Sequence, residues 1–236
     1  MKKITLFCIP YAGGSALNYL KWDKYLDDKI ELVPVELAGR GSRMDETPYL
    51  ELEEAVEDVV SFIKSKIVPG KKYAIFGHSM GSLIAFEVYY RLHQAGLNAP
   101  FHMFFSGRDA PHCAFENNEY YLLPDKEFLQ VVMRYGGNTE LMAKNPELLK
   151  IFMPILRADF RITETYKYVP KTEKIACKCT VLSGSEDRSV SVNDVTEWSI
   201  HFGGASDFAV VEGGHFFVLD NYMKVVDIIN HEFQDE

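Results

Sequence analysis

The pentapeptide GHSMG at positions 77–81 constrains the fold of this 236-residue chain more than any other stretch. An apolar, strand-like run precedes it at 73–76, and a long helix-like pattern follows it at 82–95. Ser79 therefore falls where a strand turns sharply into a helix, which is the setting of a nucleophile elbow. Such a turn strains the serine backbone and leaves no room for side chains two residues away, which explains the glycines at 77 and 81.

Strand-like and helix-like runs alternate along the whole chain. Strands are predicted at about 3–9, 30–35, 72–76, 102–106, 179–182 and 207–211, and helices at about 15–26, 47–68, 82–95, 192–198 and 218–233. This alternation predicts an α/β fold with a doubly wound, mostly parallel sheet. The length suits one hydrophobic core, so we expect a single domain over residues 1–236.

The spacing changes after the fourth predicted strand. About seventy residues separate the strands at 102–106 and 179–182, although a parallel crossover needs only a dozen or more. Helices are predicted at 126–135 and 147–168, with Pro154 expected to kink or divide the second. Aromatic and methionine residues crowd this region, among them Phe115, Met142 and Met153. We expect a helical lid insertion at about 111–170 with an apolar underside.

Composition and charge limit which classes of partner and which cellular location can be expected. The net charge of −9 argues against a nucleic-acid partner, which would need a basic face. No run of about 18 apolar residues is present to span a membrane. The basic start followed by a short apolar run resembles a signal peptide, but that run ends in Pro10 and we interpret it as a strand.

The four cysteines indicate a reducing compartment. They are few for this length and two lie in strand-like runs, so we expect free thiols in a cytoplasmic protein. Cys177 and Cys179 could supply half of a metal site, but no second Cys or His pair accompanies them. We interpret them as strand residues and expect no metal.

A serine hydroxyl needs a base to take its proton and an acid to orient that base. His215 follows a predicted strand and two glycines, and so lies at the carboxyl edge of the sheet where such sites assemble. His78 adjoins the serine on the tight turn, where its side chain should point away from Ser79. Position alone does not exclude three histidines at element ends, His102, His112 and His201. We choose His215 as the general base.

Two carboxylates are candidates for the acid. Asp109 and Asp187 both lie just past predicted strands, and both give the chain order Ser, acid, His. We favour Asp187 because it ends a short glycine-containing turn from the strand next to the one leading to His215. Asp109 remains the alternative. Glu186 is adjacent to Asp187, and we expect one of these two to face solvent.

An oxyanion hole can be formed by two backbone N–H groups. The first is that of Met80, at the N-terminus of the helix behind the serine. The second is expected from the loop after the first strand, where AGGS occupies 12–15, and Ala12 is our candidate. The loop after the second strand carries Arg40 and Arg43, which we interpret as solvated loop charges.

Six motifs together resemble one family, the type II thioesterases of nonribosomal peptide and polyketide synthesis. They are PYAGG at 10–14, GHSMG at 77–81, SGR at 106–108, LPD at 123–125, RADF at 157–160 and GGH at 213–215. The resemblance implies an α/β-hydrolase fold without a cofactor of its own. In that family the triad acid follows the strand after the lid, which matches Asp187, whereas related fused thioesterases use the position of Asp109.

The resemblance also implies a stand-alone enzyme that removes stalled or wrongly loaded acyl and aminoacyl groups from the phosphopantetheine arm of carrier proteins. We expect a monomer that meets its carriers transiently through a local basic patch, with Arg108, Arg134 and Lys144 as candidates.

At 38–40 this chain has AGR where the family usually has PGR. Arg157 and Asp159 match a lid motif, where we expect a structural ion pair or helix contact.

Three other functions remain open from the sequence. A carboxylesterase or lipase would use the same triad on oxygen esters. An acyltransferase would result if the lid excluded water. A non-catalytic binding protein on this fold would usually lack a triad member, and here every candidate is present.

Overall fold

A computed structural model describes residues 4–113, 118–136, 145–190 and 195–234. Within these ranges six strands form one sheet in the order β2-β1-β3-β4-β5-β6, and every neighbouring pair is parallel. This is the doubly wound sheet that the alternation of elements predicts. The strands are β1 (Ile4–Ile9), β2 (Ile30–Pro34), β3 (Tyr73–His78), β4 (His102–Ser106), β5 (Lys178–Gly184) and β6 (Ser206–Val211).

Helices cover both faces of the sheet. The helices α1 (Leu52–Lys66) and α2 (Met80–Gln94) pack on one face. The 3₁₀ helix Ala16–Lys24 and the C-terminal helices α5 (Phe217–Asp220) and α6 (Tyr222–Glu232) pack on the other. Along β1, Phe7 and Ile9 join the first core, and Leu6 and Cys8 join the second. Because side chains alternate between two buried faces, the sequence of each such strand is a nearly continuous apolar run.

Several element boundaries differ from the sequence-based prediction. The helix predicted from Pro48 begins at Leu52, because the preceding segment packs against the loop after β2. There the Ala38 N–H donates to the Tyr49 hydroxyl at 3.0 Å. The segment behind Ser15 is a 3₁₀ helix, capped by that serine. The C-terminal helix is interrupted at Asn221, whose Nδ2 donates to the Glu212 carbonyl at 2.8 Å.

The described part of the predicted lid contains a 3₁₀ turn (Tyr120–Leu122), α3 (Asp125–Arg134) and α4 (Pro146–Glu164). These pack around a small core of their own, formed by Phe128, Val132 and Leu156. Pro154 is expected to kink or divide the second helix, and the division is wrong, since α4 continues through it. Pro154 lies on the exposed side, and packing of the buried side outweighs the lost backbone hydrogen bond. Phe115 and Met142 lie outside the described residues.

The 3₁₀ helix Glu197–His201 follows β5, and residues 192–194 of the helix predicted there lie outside the described residues. Within the described ranges no helix is long and apolar enough to cross a membrane.

Buried histidines make the fold sensitive to acid, and His102 and His201 are two of them. Burial, followed by the charge of Lys178, lowers the pKa of His102 to about 3, and burial followed by His112 lowers the pKa of His201 to about 4. An unfolded histidine titrates near 6.5, so the unfolded chain binds more protons between that pH and the folded pKa. The stability that these neutral side chains contribute is therefore present above about pH 6.5 and is lost as the pH falls.

We expect the free energy of unfolding to fall by roughly 1 kcal/mol per pH unit for each of these groups below pH 6.5. Urea unfolding at a series of pH values measures this slope. The His102→Asn variant should show a shallower slope than the wild type, whatever its absolute stability. An identical slope in both proteins would contradict the assignment of His102.

Candidate active site

The turn between β3 and α2 has the strained geometry of an elbow. Ser79 has φ 54° and ψ −116°, a conformation that residues other than glycine rarely adopt. Its N–H donates to the Ser106 carbonyl on the neighbouring strand at 2.7 Å. A Cβ on Gly77 would lie 2.2 Å from the Gly81 carbonyl oxygen. The sequence pattern therefore corresponds to a turn that only glycine at 77 allows.

Gly81 is required for a different reason. A Cβ there would lie 2.3 Å from the Ile9 carbonyl oxygen and 2.8 Å from that of Pro10. The end of β1 thus lies directly against the first turn of α2. This contact brings the loop after β1 to the serine.

Gly81→Ala is expected to lower the free energy of unfolding by about 2–3 kcal/mol, because the new methyl meets backbone that cannot rotate away. Chemical denaturation measures the loss, and Gly96→Ala is a comparison at an open position of strained φ. A Gly81→Ala protein as stable as the wild type would show that the end of β1 can move.

Three of the predicted side chains come together at the carboxyl edge of the sheet. The Ser79 hydroxyl lies 3.0 Å from His215 Nε2, and His215 Nδ1 lies 2.8 Å from Asp187 Oδ2. An ionised carboxylate only accepts, so Nδ1 carries the proton and donates it to Asp187. Nε2 is then free to accept the hydrogen bond from the Ser79 hydroxyl. The arrangement is a continuous chain from hydroxyl to imidazole to carboxylate.

Asp187 is the carboxylate in contact with His215. Burial alone would raise the pKa of Asp187, but hydrogen bonds from His215 and from Ser189 bring it below its usual value. Glu186 is exposed, so it is the member of this acidic pair that faces solvent. Asp109 lines the same cavity as His215.

Ser189 is a residue that the sequence-based prediction missed. Its hydroxyl donates to Asp187 Oδ1 at 2.6 Å and lies 3.0 Å from His215 Nδ1, and its N–H donates to the same Oδ1 at 2.9 Å. Both oxygens of Asp187 are therefore engaged, which fixes the orientation of the carboxylate. A hydroxyl two residues after an acid at a strand end is the signal that could have identified it.

His78 supports the site from behind. Its Nε2 donates to the His215 carbonyl at 2.9 Å, and its Nδ1 accepts from the Ser106 hydroxyl at 2.9 Å. Complete burial, followed by the proximity of His215, lowers the pKa of His78 to about 3. The ring therefore stays neutral and holds the backbone of the loop that carries His215. Gly107 makes room for it, because a Cβ there would lie 2.5 Å from His78 Cε1.

A cavity of about 400 Å³ opens onto the serine. Ser79 and His215 line it together with Ala12 and Met80, the two residues predicted to supply oxyanion N–H groups. Residues of the predicted lid contribute an apolar wall, formed by Val132, Tyr135, Phe152, Leu156 and Phe160. Arg108, Asp109 and Glu164 add charged groups to the lining. The cavity can therefore hold an extended, largely apolar group next to the hydroxyl.

The loop arginines differ from the expectation of solvated charges. Arg40 is only 2% exposed, and both of its terminal nitrogens contact the Asp159 carboxylate at 2.7 Å. Arg43 is partly buried and pairs with Glu46 and Asp58. The prediction for Arg40 was wrong because its partner lies on α4, far along the sequence.

The lid motif also forms structural contacts. Arg157 donates to the Tyr121 carbonyl at 2.7 Å and to Asp125 at 2.6 Å, and so ties α4 to the start of α3. Of the candidates for a basic patch, Arg108 lines the cavity, Arg134 is exposed on α3 and Lys144 lies outside the described residues.

Cys179 lies in β5, as the strand interpretation expects, whereas Cys177 lies one residue before the strand begins, so that interpretation is wrong for Cys177. Among the residues that the structure describes, no group of three or more His, Cys, Asp or Glu side chains is arranged to hold a metal ion.

Comparison with known proteins gives the family. The thioesterase domain family matches residues 4–233. The gramicidin S biosynthesis protein GrsT of Aneurinibacillus migulanus is 33% identical over 228 residues, which cover 96% of this chain and 88% of GrsT.

Solved structures agree with this result. ClbQ from the colibactin NRPS/PKS pathway superposes with a TM-score of 0.94 at 33% identity, covering 99% of this chain and 98% of ClbQ. YbtT, a type II thioesterase from the yersiniabactin NRPS/PKS pathway, gives a TM-score of 0.88 at 28% identity and covers 99% and 94% of the two chains. The sheet with its flanking helices is thus an α/β-hydrolase fold. The chain belongs to the thioesterase family, as a hydrolytic type II thioesterase of the kind associated with nonribosomal peptide and polyketide synthesis.

Proposed function

We propose that this enzyme hydrolyses acyl or aminoacyl thioesters on the phosphopantetheine arm of carrier proteins and so clears stalled or wrongly loaded synthases. The observation that carries the proposal is the unbroken contact from the Ser79 hydroxyl through His215 to Asp187, at the opening of an apolar cavity. ClbQ and YbtT are named for NRPS/PKS pathways and GrsT for gramicidin S biosynthesis, which supports the choice of substrate.

The first half of the reaction forms an acyl-enzyme. His215 Nε2 takes the proton of Ser79 while the hydroxyl oxygen attacks the thioester carbonyl carbon. Asp187 stabilises the imidazolium that results. The oxyanion is bound by the backbone N–H groups of Met80 and Ala12, and the dipole of α2 adds to this stabilisation. The carbon–sulfur bond then breaks, and the pantetheine thiol leaves with the proton from His215.

The second half releases the acid. Water replaces the thiol beside His215, which takes a proton from it as it attacks the ester of Ser79. The second tetrahedral intermediate uses the same N–H groups, and its collapse returns the proton to the serine. The proposed chemistry requires a hydroxyl, an imidazole and a carboxylate, and the phosphopantetheine belongs to the substrate. We propose that the enzyme acts as a monomer in the cytoplasm and meets each carrier transiently.

The test compares three substrates for the purified enzyme. These are an acyl group on a phosphopantetheinylated carrier, the same acyl group on free pantetheine, and its p-nitrophenyl ester. We expect the highest kcat/KM for the carrier thioester. Preference for the oxygen ester would indicate a carboxylesterase, and formation of a new ester or amide when an acceptor is added would indicate an acyltransferase.

The editing role needs a second measurement. A synthase module blocked with a wrongly loaded acetyl group should resume product formation when the enzyme is added, and the Ser79→Ala variant should not restore it. Restoration by both proteins would show that the effect does not depend on hydrolysis.

A further inference from the structure

The carboxylate of Asp159 contacts the loop that carries Ala12. This side chain belongs to α4 of the lid and is only 1% exposed. Its Oδ2 accepts the backbone N–H of Gly13 at 2.7 Å. Gly13 directly follows Ala12, whose N–H is one of the two proposed oxyanion donors. A lid residue therefore contacts the peptide unit next to that donor.

Arg40 contacts both the Asp159 carboxylate and the loop that carries Ala12. It lies in the loop after β2, makes a two-pronged ion pair with Asp159 and donates from Nη1 to the Gly14 carbonyl at 3.2 Å. Gly13 N–H and Gly14 carbonyl are thus both held by one buried ion pair. Since the guanidinium balances the carboxylate, Asp159 adds no unpaired negative charge near the place where an oxyanion would form.

The packing around Gly13 also comes from α4. Gly13 has φ +75°, and a Cβ there would lie 2.6 Å from Leu156 Cδ2. Leu156 and Asp159 are three residues apart, so they share one face of α4. Further along, Glu36 accepts from the Ala16 N–H at 3.1 Å and from the Ser15 hydroxyl at 3.2 Å. The loop is fixed at both ends, and at its Ala12 end the fixing group belongs to the lid.

A buried ion pair adds little net stability compared with apolar residues of the same volume. This ion pair instead holds the Gly13 N–H and the Gly14 carbonyl in one geometry. We propose that Asp159 and Arg40 are positioning residues that hold the Ala12 N–H in place for the oxyanion, so that α4 forms part of the catalytic framework. This inference rests on the proposed function of Ser79 and of the Ala12 N–H.

The test uses two double variants that both lack the ion pair. Arg40→Met/Asp159→Asn keeps a side-chain oxygen that can accept from the Gly13 N–H, whereas Arg40→Met/Asp159→Leu does not. Rates are expressed per active site titrated with a fluorophosphonate, which removes the effect of unfolded protein. We expect kcat of the leucine variant to be about 30-fold below that of the asparagine variant, with KM changed by less than about twofold.

A second readout separates positioning from general damage. An acyl trifluoromethyl ketone forms a hemiketal with the serine and places an oxyanion in the hole, so its inhibition constant should rise in the leucine variant by the same factor as kcat falls. An amide analogue of the acyl pantetheine tests ground-state binding and should bind both variants equally. Arg161→Gln removes another ion pair between α4 and the body, with Glu51, and should leave kcat unchanged.

Equal kcat per titrated site in the two double variants would overturn the proposal. If the leucine variant does not fold, Arg40→Lys gives the answer, because it keeps the buried charge and loses the two-pronged contact. We expect it to lower kcat by about threefold to tenfold at constant KM, and an unchanged kcat would contradict us. Activity retained in Ser79→Ala would instead refute the proposed function itself, so the two failures are distinct.

Discussion

Ser79→Ala is expected to lower kcat for an acyl-carrier thioester by about 10⁴- to 10⁶-fold. The loss is this large because the variant keeps the cavity and the oxyanion donors but has no atom that can form the acyl-enzyme. Alanine removes only the hydroxyl, and the strained turn around it is retained. Single-turnover hydrolysis of a radiolabelled acyl carrier measures the residual rate down to the background.

The matched control for this variant is Ser61→Ala, which removes an exposed hydroxyl from α1. It should hydrolyse the carrier thioester at the wild-type rate. A fluorophosphonate probe adds an independent measurement, since it should label the wild type and Ser61→Ala and leave Ser79→Ala unlabelled. Turnover or labelling that persists in Ser79→Ala would show that another nucleophile performs the reaction.

The positions of Ser79 and His215 could be predicted because their signals are local. A strand, two glycines and a helix place Ser79 with little freedom, and the glycines before His215 place it on a loop at the same sheet edge. The parallel sheet then brings the two loops together, because the carboxyl ends of parallel strands share one edge. The positions of these two residues could be predicted without knowing any partner that is distant in the sequence.

Apart from Ser189, the residues that sequence reasoning missed depend on contacts across the fold. Arg40 looks like a solvated loop charge until α4 brings Asp159 against it. His78 supports the site through its hydrogen bond to the His215 carbonyl, a backbone atom that no sequence pattern identifies. The start of α1 was misplaced for a similar reason, since Pro48 favours a helix N-terminus locally while its packing against Gly39 fixes it outside the helix. Tertiary contacts determined each of these outcomes.

The choice between Asp187 and Asp109 was left open by the sequence and has the second largest expected effect. Asp187→Asn is expected to lower kcat by about 10⁴-fold with little change in KM. An asparagine amide facing His215 Nδ1 donates a hydrogen bond to it, so the imidazole proton moves to Nε2. That nitrogen can then no longer accept the proton of Ser79.

Asp109→Asn should keep most of its kcat, and any change is expected in KM, because Asp109 lines the cavity. Glu186→Gln is the matched control, since it removes the same charge from the exposed residue next to Asp187. Steady-state kinetics with one carrier thioester compares all three variants. A large fall in kcat for Asp109→Asn together with an active Asp187→Asn would mean that His215 is oriented in solution by the carboxylate after β4. The 2.8 Å contact between His215 Nδ1 and Asp187 Oδ2, with Ser189 holding the second oxygen, argues for the opposite result.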